Sequence, residues 1–277
     1  MGRKNFLSYN RWVWRWEWVK KKPTKNIGFS PKFCYTTTLS LSPNLQTKLQ
    51  TKMTINPTAT LLIFDLDGTL IDSVPDLALA VNACLTDLGL PHFDESHIRH
   101  WVGNGAPILM ERVLRASGED LSKLQLALEL FFKHYTTFTC EKTVAYDGVD
   151  AGLHQLKQQG FTLAIVTNKP YQFVPIIVEK LSWQGLFDIM LGGDSLPVKK
   201  PNPAPLYHVC HQLNFNLADA FMIGDSKNDI LAGQNAGIAT LGLSYGYNYG
   251  QDIRDFNPTH TFDDFSDLVN FLLPKTN

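Results

Sequence analysis

Asp65 and Asp67 sit two residues apart in the run Thr60-Leu-Leu-Ile-Phe-Asp-Leu-Asp-Gly-Thr-Leu70, where an apolar segment ends in carboxylates. A run rich in Leu, Ile and Phe, followed by the turn-forming Gly68 and Thr69, reads as a buried strand. Two anions at its end are costly unless a cation offsets them. A metal ion is the expected partner, because open α/β sheets take their ligands just past the carboxyl ends of their strands. An acidic surface turn would account for a lone Asp-Gly, but not for the recurrence of the arrangement further along the chain.

Two more apolar strands end in polar groups. Thr162–Val166 runs into Thr167, Asn168, Lys169 and Pro170, and Phe221–Gly224 runs into Asp225. Three such ends can share one edge of a sheet. Between them, helical spacing recurs over 148–159, where Val149, Leu153 and Leu156 share a face ahead of Gly160, and again over 203–213. Strand and helix alternate, which predicts an α/β class: a Rossmann-like, doubly wound parallel sheet of about five strands, with further strands at 189–193 and 239–243.

Asp65-Leu-Asp-Gly-Thr69, Thr167-Asn168, Lys200-Pro201 and Gly224-Asp225-Ser-Lys-Asn-Asp229, in that order, resemble the four signatures of the haloacid dehalogenase-like hydrolases. The likeness runs from Thr60 to the C-terminus, and the ordered quartet carries it more than any single motif. It implies phosphoryl transfer. Asp65 would attack phosphorus and become an aspartyl-phosphate, dividing a hard hydrolysis into two displacements. Asp67, protonated at first, would give its proton to the leaving oxygen and later take one from the attacking water. Both roles need a small hard cation among two carboxylates and a phosphate, so Mg²⁺ is the expected cofactor. The resemblance assigns Asp65, the backbone carbonyl of Asp67, and Asp225 to that ion.

The same resemblance gives Thr167 and the amides near Asn168 the equatorial phosphoryl oxygens, where charge gathers in the transition state. Lys200 would add a point charge to those oxygens, its loop stiffened by Pro201, Pro203 and Pro205. Neighbouring Lys199 reads as a solvated loop lysine. Asp229 follows Asp225 by one helical turn and would orient Lys200 or a metal-bound water. Its alternative is an N-terminal carboxylate that favours a helix dipole. Dehalogenation, the other chemistry of the family, needs no acid where Asp67 stands, so phosphate ester hydrolysis is preferred.

Residues 75–143, between the first two motifs, exceed what a crossover helix requires and suit an inserted all-helical cap domain on a core of 59–74 and 144–277. Pro75–Leu88 begins the insertion, with Ser73 as N-cap and Leu77, Val81, Cys84, Leu85 and Leu88 as an apolar stripe that stops at Gly89. Further helices are expected over 106–116 and 121–135. Such placement resembles the caps of the phosphoglycolate phosphatase and β-phosphoglucomutase branches, which close over the site and exclude water. Gly103 and Asn104, in Trp101-Val-Gly-Asn-Gly-Ala106, form a turn that opens a helix. Its free amides suit a substrate carboxylate, although an ordinary helix-opening turn is the plainer reading. Arg99, Arg112, Arg115 and Lys133 are further cations that could neutralise a small acid.

Whole phrases resemble the phosphoglycolate phosphatase branch most: Ser73-Val-Pro75-Asp76-Leu-Ala-Leu-Ala, Trp101-Val-Gly-Asn-Gly-Ala, Thr167-Asn-Lys-Pro and Ser244-Tyr-Gly-Tyr-Asn-Tyr-Gly250. Asp147 stands where relatives often carry Pro. The implied reaction is hydrolysis of 2-phosphoglycolate to glycolate and phosphate. A phosphomutase of the β-phosphoglucomutase type, or a broader small-phosphomonoester phosphatase, is the alternative.

At 277 residues and 44% hydrophobic content the chain suits a soluble core plus an insert. No stretch approaches the roughly twenty apolar residues of a membrane span. Cys34, Cys84, Cys140 and Cys210 lack metal-type spacing and the histidines show no ligand pattern, so the thiols read as reduced in a cytoplasmic protein. The net charge of −1 conceals an asymmetry: residues 1–52 hold eleven Lys and Arg against Glu17 alone, giving +10 there and −11 in the remainder. That segment is expected to be an unstructured extension ahead of Met53. A targeting peptide, or a basic arm for nucleic acid or a membrane surface, is the alternative. For the core the expected partner is a small phosphomonoester, with no nucleic acid and no membrane, and the oligomeric state is not legible.

Overall fold

The computed structural model describes residues 55–273; the expectations for 1–52 lie outside the described residues. β1 (Leu61–Phe64) is buried along its whole length, as an apolar run without alternation requires of a strand covered on both faces. After it, β2 (Ile71–Asp72) pairs antiparallel with β3 (Val144–Ala145), so the chain leaves the sheet and returns to it at adjacent points. Beyond them, β4 (Thr162–Val166) and β6 (Ala220–Gly224) flank β1 in parallel, with Phe64 in register with both Ile165 and Ile223. β5 (Ile189–Leu191), β7 (Ala239–Leu243) and β8 (His260–Phe262) complete a parallel sheet of order β5-β4-β1-β6-β7-β8. The doubly wound expectation holds with one strand more than five. β8 is three residues long and only partly buried, too short for periodicity to signal it.

Four helices stand between β2 and β3: α1 (Val74–Leu88), α2 (Glu95–Arg99), α3 (Ala106–Ala116) and α4 (Leu124–Phe138). The stripe of α1 is buried as its spacing predicts, at Leu77, Val81, Cys84 and Leu85, and packs on α4 through Ala127, Phe131 and Tyr135. Gly89 ends α1 in the left-handed region, which glycine adopts at no steric cost. Ser73 holds the N-cap position but does not cap: its hydroxyl donates to Asp67 at 2.6 Å. The helix expected over 121–135 begins with a tight turn at Leu121–Lys123, capped by Asp120, and runs on to Phe138. α2, only five residues long, lacks a helical stripe in the sequence.

α5 (Val149–Gln158), α6 (Val174–Lys180) and α9 (Phe265–Leu272) cover one face of the sheet, and α7 (Ala204–Gln212) and α8 (Lys227–Ala236) the other. Leu62 and Phe64 of β1 point into the first core, and Leu61 and Ile63 into the second, the period-two alternation of a strand. The segment that returns from α4 to β3 is tied down by one carboxylate. Asp76, fully buried in α1, accepts from the amides of Glu141, Lys142 and Thr143 and from the Thr143 hydroxyl at 2.6–3.1 Å. An ionised acceptor of this kind is worth more than a neutral one. Asp76→Ala is therefore expected to destabilise the fold by about 3 kcal/mol, read as a lower urea midpoint. An unchanged midpoint would show that these bonds contribute nothing.

Candidate active site

The register of β1, β4 and β6 brings the three polar strand ends to one edge, and the Asp65 amide continues the ladder by donating to the Ile223 carbonyl at 2.9 Å. Asp65, Asp225 and Asp229 gather there, each buried, with carboxylate oxygens within 4.8 Å of one another. Lys200 reaches into the same space: its ammonium lies 3.0 Å from Asp65 and 2.6 Å from Asp229, and the residue is 2% exposed. Asp225 accepts from the Thr69 hydroxyl at 2.6 Å and the Tyr247 amide at 2.7 Å. Two glycines let the chain approach it. A Cβ on Gly68 (φ +89°) or on Gly246 would lie 2.3 and 2.2 Å from the Asp225 carboxylate, so no other residue fits at either position.

Electrostatics in this cluster follow from burial. Desolvation pushes the Asp65 carboxyl up to about 6, although Lys200 beside it works in the opposite direction. Burial, then the charges of Asp229 and Asp65, hold Asp225 well above the usual carboxylate range. Burial disfavours the Lys200 ammonium too, but Asp229 and Asp65 outweigh it and keep Lys200 above the ordinary lysine value. Asp229 has partners on two sides. One oxygen takes Lys200; the other accepts from the Ser226 amide and hydroxyl at 3.0 and 2.8 Å in a capping box that starts α8.

Asp67 does not join that cluster with its side chain. Its carboxylate turns to Ser73 and to Lys169, whose ammonium lies 2.8 and 3.1 Å from the two oxygens. Lys169 is 5% exposed and packs its charge 4.9 Å from the centre of the Tyr135 ring. Sequence reasoning noted Lys169 as part of a phrase and gave it no role. Only the parallel pairing of β1 with β4 sets the loops after them face to face.

Thr167 is buried and accepts from the Lys169 amide. Asn168 donates its amide to the carbonyls of Gly103 and Lys200 at 3.2 and 3.1 Å, and its own side-chain oxygen is buried without a partner among the described residues. Asn228, which sequence reasoning did not single out, donates to the Gly103 carbonyl and the Asn104 side chain at 3.3 and 2.9 Å. Lys199 is not the solvated lysine expected: it is half-buried and donates to the Asn104 carbonyl at 2.8 Å. Gly103 and Asn104 thus offer oxygens to the sheet edge and seat the turn before α3 over it.

A pocket of about 40 Å³ lies under that turn, enough for a few waters or a small oxyanion. Asp65, Asp67, Thr167 and Lys169 form its polar side, and Leu77, Leu109, Phe131 and Tyr135 its apolar side. None of the four insertion cations suggested by the sequence lines it. Arg99 binds Asp72 and Glu95, Arg112 donates to the Trp101 carbonyl, Arg115 pairs with Glu111, and Lys133 faces Asp87.

Comparison with known proteins agrees with this geometry. Residues 62–243 match the sequence profile described as haloacid dehalogenase-like hydrolase. A phosphoglycolate phosphatase of Psychrobacter arcticus is 60% identical over 219 residues, covering 77% of this chain and 95% of the relative. That of Colwellia psychrerythraea is 51% identical, covering 75% and 94%. Among solved structures, a predicted phosphoglycolate phosphatase from Haemophilus somnus superimposes with a TM-score of 0.75 at 39% identity, covering 80% of this chain and all of that one.

The two bonds of Asp229 can be separated by mutation. Ser226→Ala removes one hydroxyl of the capping box and is expected to cost about 1 kcal/mol. Asp229→Ala also removes the nearer of the two carboxylates that hold the buried Lys200, leaving Asp65 as its counter-charge, and is expected to cost about 2–3 kcal/mol. Equal costs in denaturant unfolding would mean that the ion pair contributes nothing.

Proposed function

The chain belongs to the haloacid dehalogenase-like hydrolase family, and on that premise we propose that it hydrolyses 2-phosphoglycolate to glycolate and phosphate through an aspartyl-phosphate on Asp65. One observation carries the reading. A buried carboxylate at the end of β1 shares a small pocket with a second one, Asp67, which is held apart from it by Ser73 and Lys169. The names of the relatives support the substrate.

An oxygen of Asp65 forms the new bond to phosphorus as the bond to the ester oxygen breaks, and Asp67 supplies the proton that oxygen needs. Asp67 then takes a proton from water as that water attacks phosphorus and frees Asp65. Lys200, Thr167 and the amides near Asn168 would hold the phosphoryl oxygens. Lys200, gripped by Asp229, stays on the phosphoryl side of Asp65 without a search through rotamers. Residues 75–143 would act as the cap over a core of 59–74 and 144–277. Gly103 and Asn104 would close it through their bonds to Asn168 and Asn228 and shut out bulk water.

The donor set fits a hard divalent ion. Asp65 and Asp225 are buried oxygen ligands that burial and mutual repulsion drive toward protonation, a cost that a cation removes. Asp65, the carbonyl of Asp67 and Asp225 would hold Mg²⁺, which when bound neutralises the phosphoryl oxygens and polarises phosphorus. Asp229 lies in the same cluster, but its part in the proposal is to hold Lys200 through one oxygen and Ser226 through the other. Among the described residues no helix is long and apolar enough to cross a membrane. A cytoplasmic enzyme is proposed with the reaction, on the free thiols of Cys84, Cys140 and Cys210.

Asp65→Asn should lower phosphate release from 2-phosphoglycolate by at least about 10³-fold with the circular dichroism unchanged; retained turnover removes the nucleophile. Wild-type protein should release phosphate from 2-phosphoglycolate far faster than from glucose 6-phosphate or β-glucose 1-phosphate, and no release from the first discards the substrate. The ion has its own test. A carboxyl raised from 3.8 to about 6 in the folded state binds protons more tightly there than in the unfolded chain, so metal-free protein loses stability as pH rises through that window. Mg²⁺ should therefore raise the unfolding temperature, relative to a chelator, more at pH 8 than at pH 5. An equal shift at both values would place the ion elsewhere.

A further inference from the structure

The substrate proposed above carries a second anion, and the pocket contains one cation positioned for it. We propose that Lys169 and the hydroxyl of Tyr135 bind the carboxylate of the substrate and so set specificity for phosphate esters of small 2-hydroxy acids. This rests on the phosphoglycolate reading, but it assigns residues that the family motifs leave without a role.

Three observations converge. First, of the described residues that line the pocket, Lys169 alone is positively charged, while Arg99, Arg112, Arg115 and Lys133 are engaged elsewhere. Second, its ammonium lies 2.8 and 3.1 Å from the oxygens of Asp67. If Asp67 donates to the ester oxygen, that oxygen lies about 2.7 Å from the Asp67 carboxyl. The carboxylate of a glycolate leaving group is joined to the ester oxygen through a single methylene, which leaves it within reach of the same ammonium. Third, the Tyr135 hydroxyl is buried on the pocket wall beside the Lys169 ammonium and makes no well-formed hydrogen bond among the described residues. Such a group is rare in a native interior, where buried polar atoms are almost always paired. Tyr135 already stacks its ring against the Lys169 charge.

The rest of the wall explains why the pair would discriminate. Leu77, Leu109, Phe131 and Phe173 offer no hydrogen bond to a substrate carboxylate. On that side of the pocket Lys169 is the one charged donor among the described lining residues, with the Tyr135 hydroxyl beside it. A neutral leaving group would gain nothing from the ammonium, and a cationic one would meet a like charge.

The test compares three esters of the same length on the full chain: 2-phosphoglycolate, 2-hydroxyethyl phosphate and 2-aminoethyl phosphate. Wild-type kcat/KM should fall in that order. Lys169→Met should reduce the preference for 2-phosphoglycolate over 2-hydroxyethyl phosphate by about 30-fold or more, chiefly through KM, and Tyr135→Phe by about 3- to 10-fold. If Lys169 served only to position Asp67, both esters would lose equally and the ratio would not move, which overturns the proposal while leaving the substrate reading intact. Should Lys169→Met fail to fold, Tyr135→Phe and the wild-type ranking still decide. Equal wild-type rates on the hydroxyl and amino esters would show that no cation faces the leaving group. A wild-type enzyme that hydrolyses esters without preferring 2-phosphoglycolate overturns the substrate reading and this assignment together.

Discussion

Burial of like charges at the carboxyl edge of the sheet is the constraint on which the rest depends. Asp65, Asp225 and Asp229 are packed together away from water, and burial disfavours the charged forms of Asp65 and Asp225. Lys200 relieves Asp65 and Asp229, the latter helped by Ser226, and hydrogen bonds from Thr69 and Tyr247 relieve Asp225. Much of the surrounding architecture is explained as support for that arrangement. Gly68 and Gly246 have no side chains because any would strike Asp225. The box that starts α8 spends one oxygen of Asp229 so that the other faces Lys200.

A second, separate charge pair organises the opposite side of the pocket. Asp67 and Lys169 come from loops after different strands and meet under the aromatic surface of α4. Asp65 and Asp67 are two residues apart in sequence, yet they face different partners and different environments. One backbone turn thus provides a carboxylate committed to the cluster and another free of it. Two carboxylates with distinct surroundings are the usual basis for dividing nucleophile from acid in one site.

Much of this was legible in the sequence, and the reasons are specific. β1, β4 and β6 are buried on both faces, so each appears as an unbroken apolar run with its polar end exposed to inspection. The stripe of α1 repeats often enough to survive any single exception. What escaped lacked such redundancy. β8 and α2 are too short to show a period. Ser73 has the right residue type and position for a cap, but tertiary structure gave its hydroxyl to Asp67 instead. Lys169, Asn228 and Asp76 act through partners dozens of positions away, and nothing local distinguishes them from ordinary polar residues. Lys199 looked solvated because the turn that covers it comes from another part of the chain.

The pairing of β2 with β3 has a mechanical consequence. The strands before and after residues 75–143 run side by side, paired at Ile71–Ala145 and Asp72–Val144, and the Tyr146 amide donates to the Leu70 carbonyl beside them. The two connections of residues 75–143 thus lie on one jamb, whereas two distant tethers would spread the attachment along the sheet. The jamb is also bolted to the chemistry, since the Tyr247 hydroxyl holds Asp72 while its amide holds Asp225. The free edge of the door is then the turn at Gly103 and Asn104. That turn is fastened to the sheet edge by Asn168, Asn228 and Lys199, at the opposite end from the jamb.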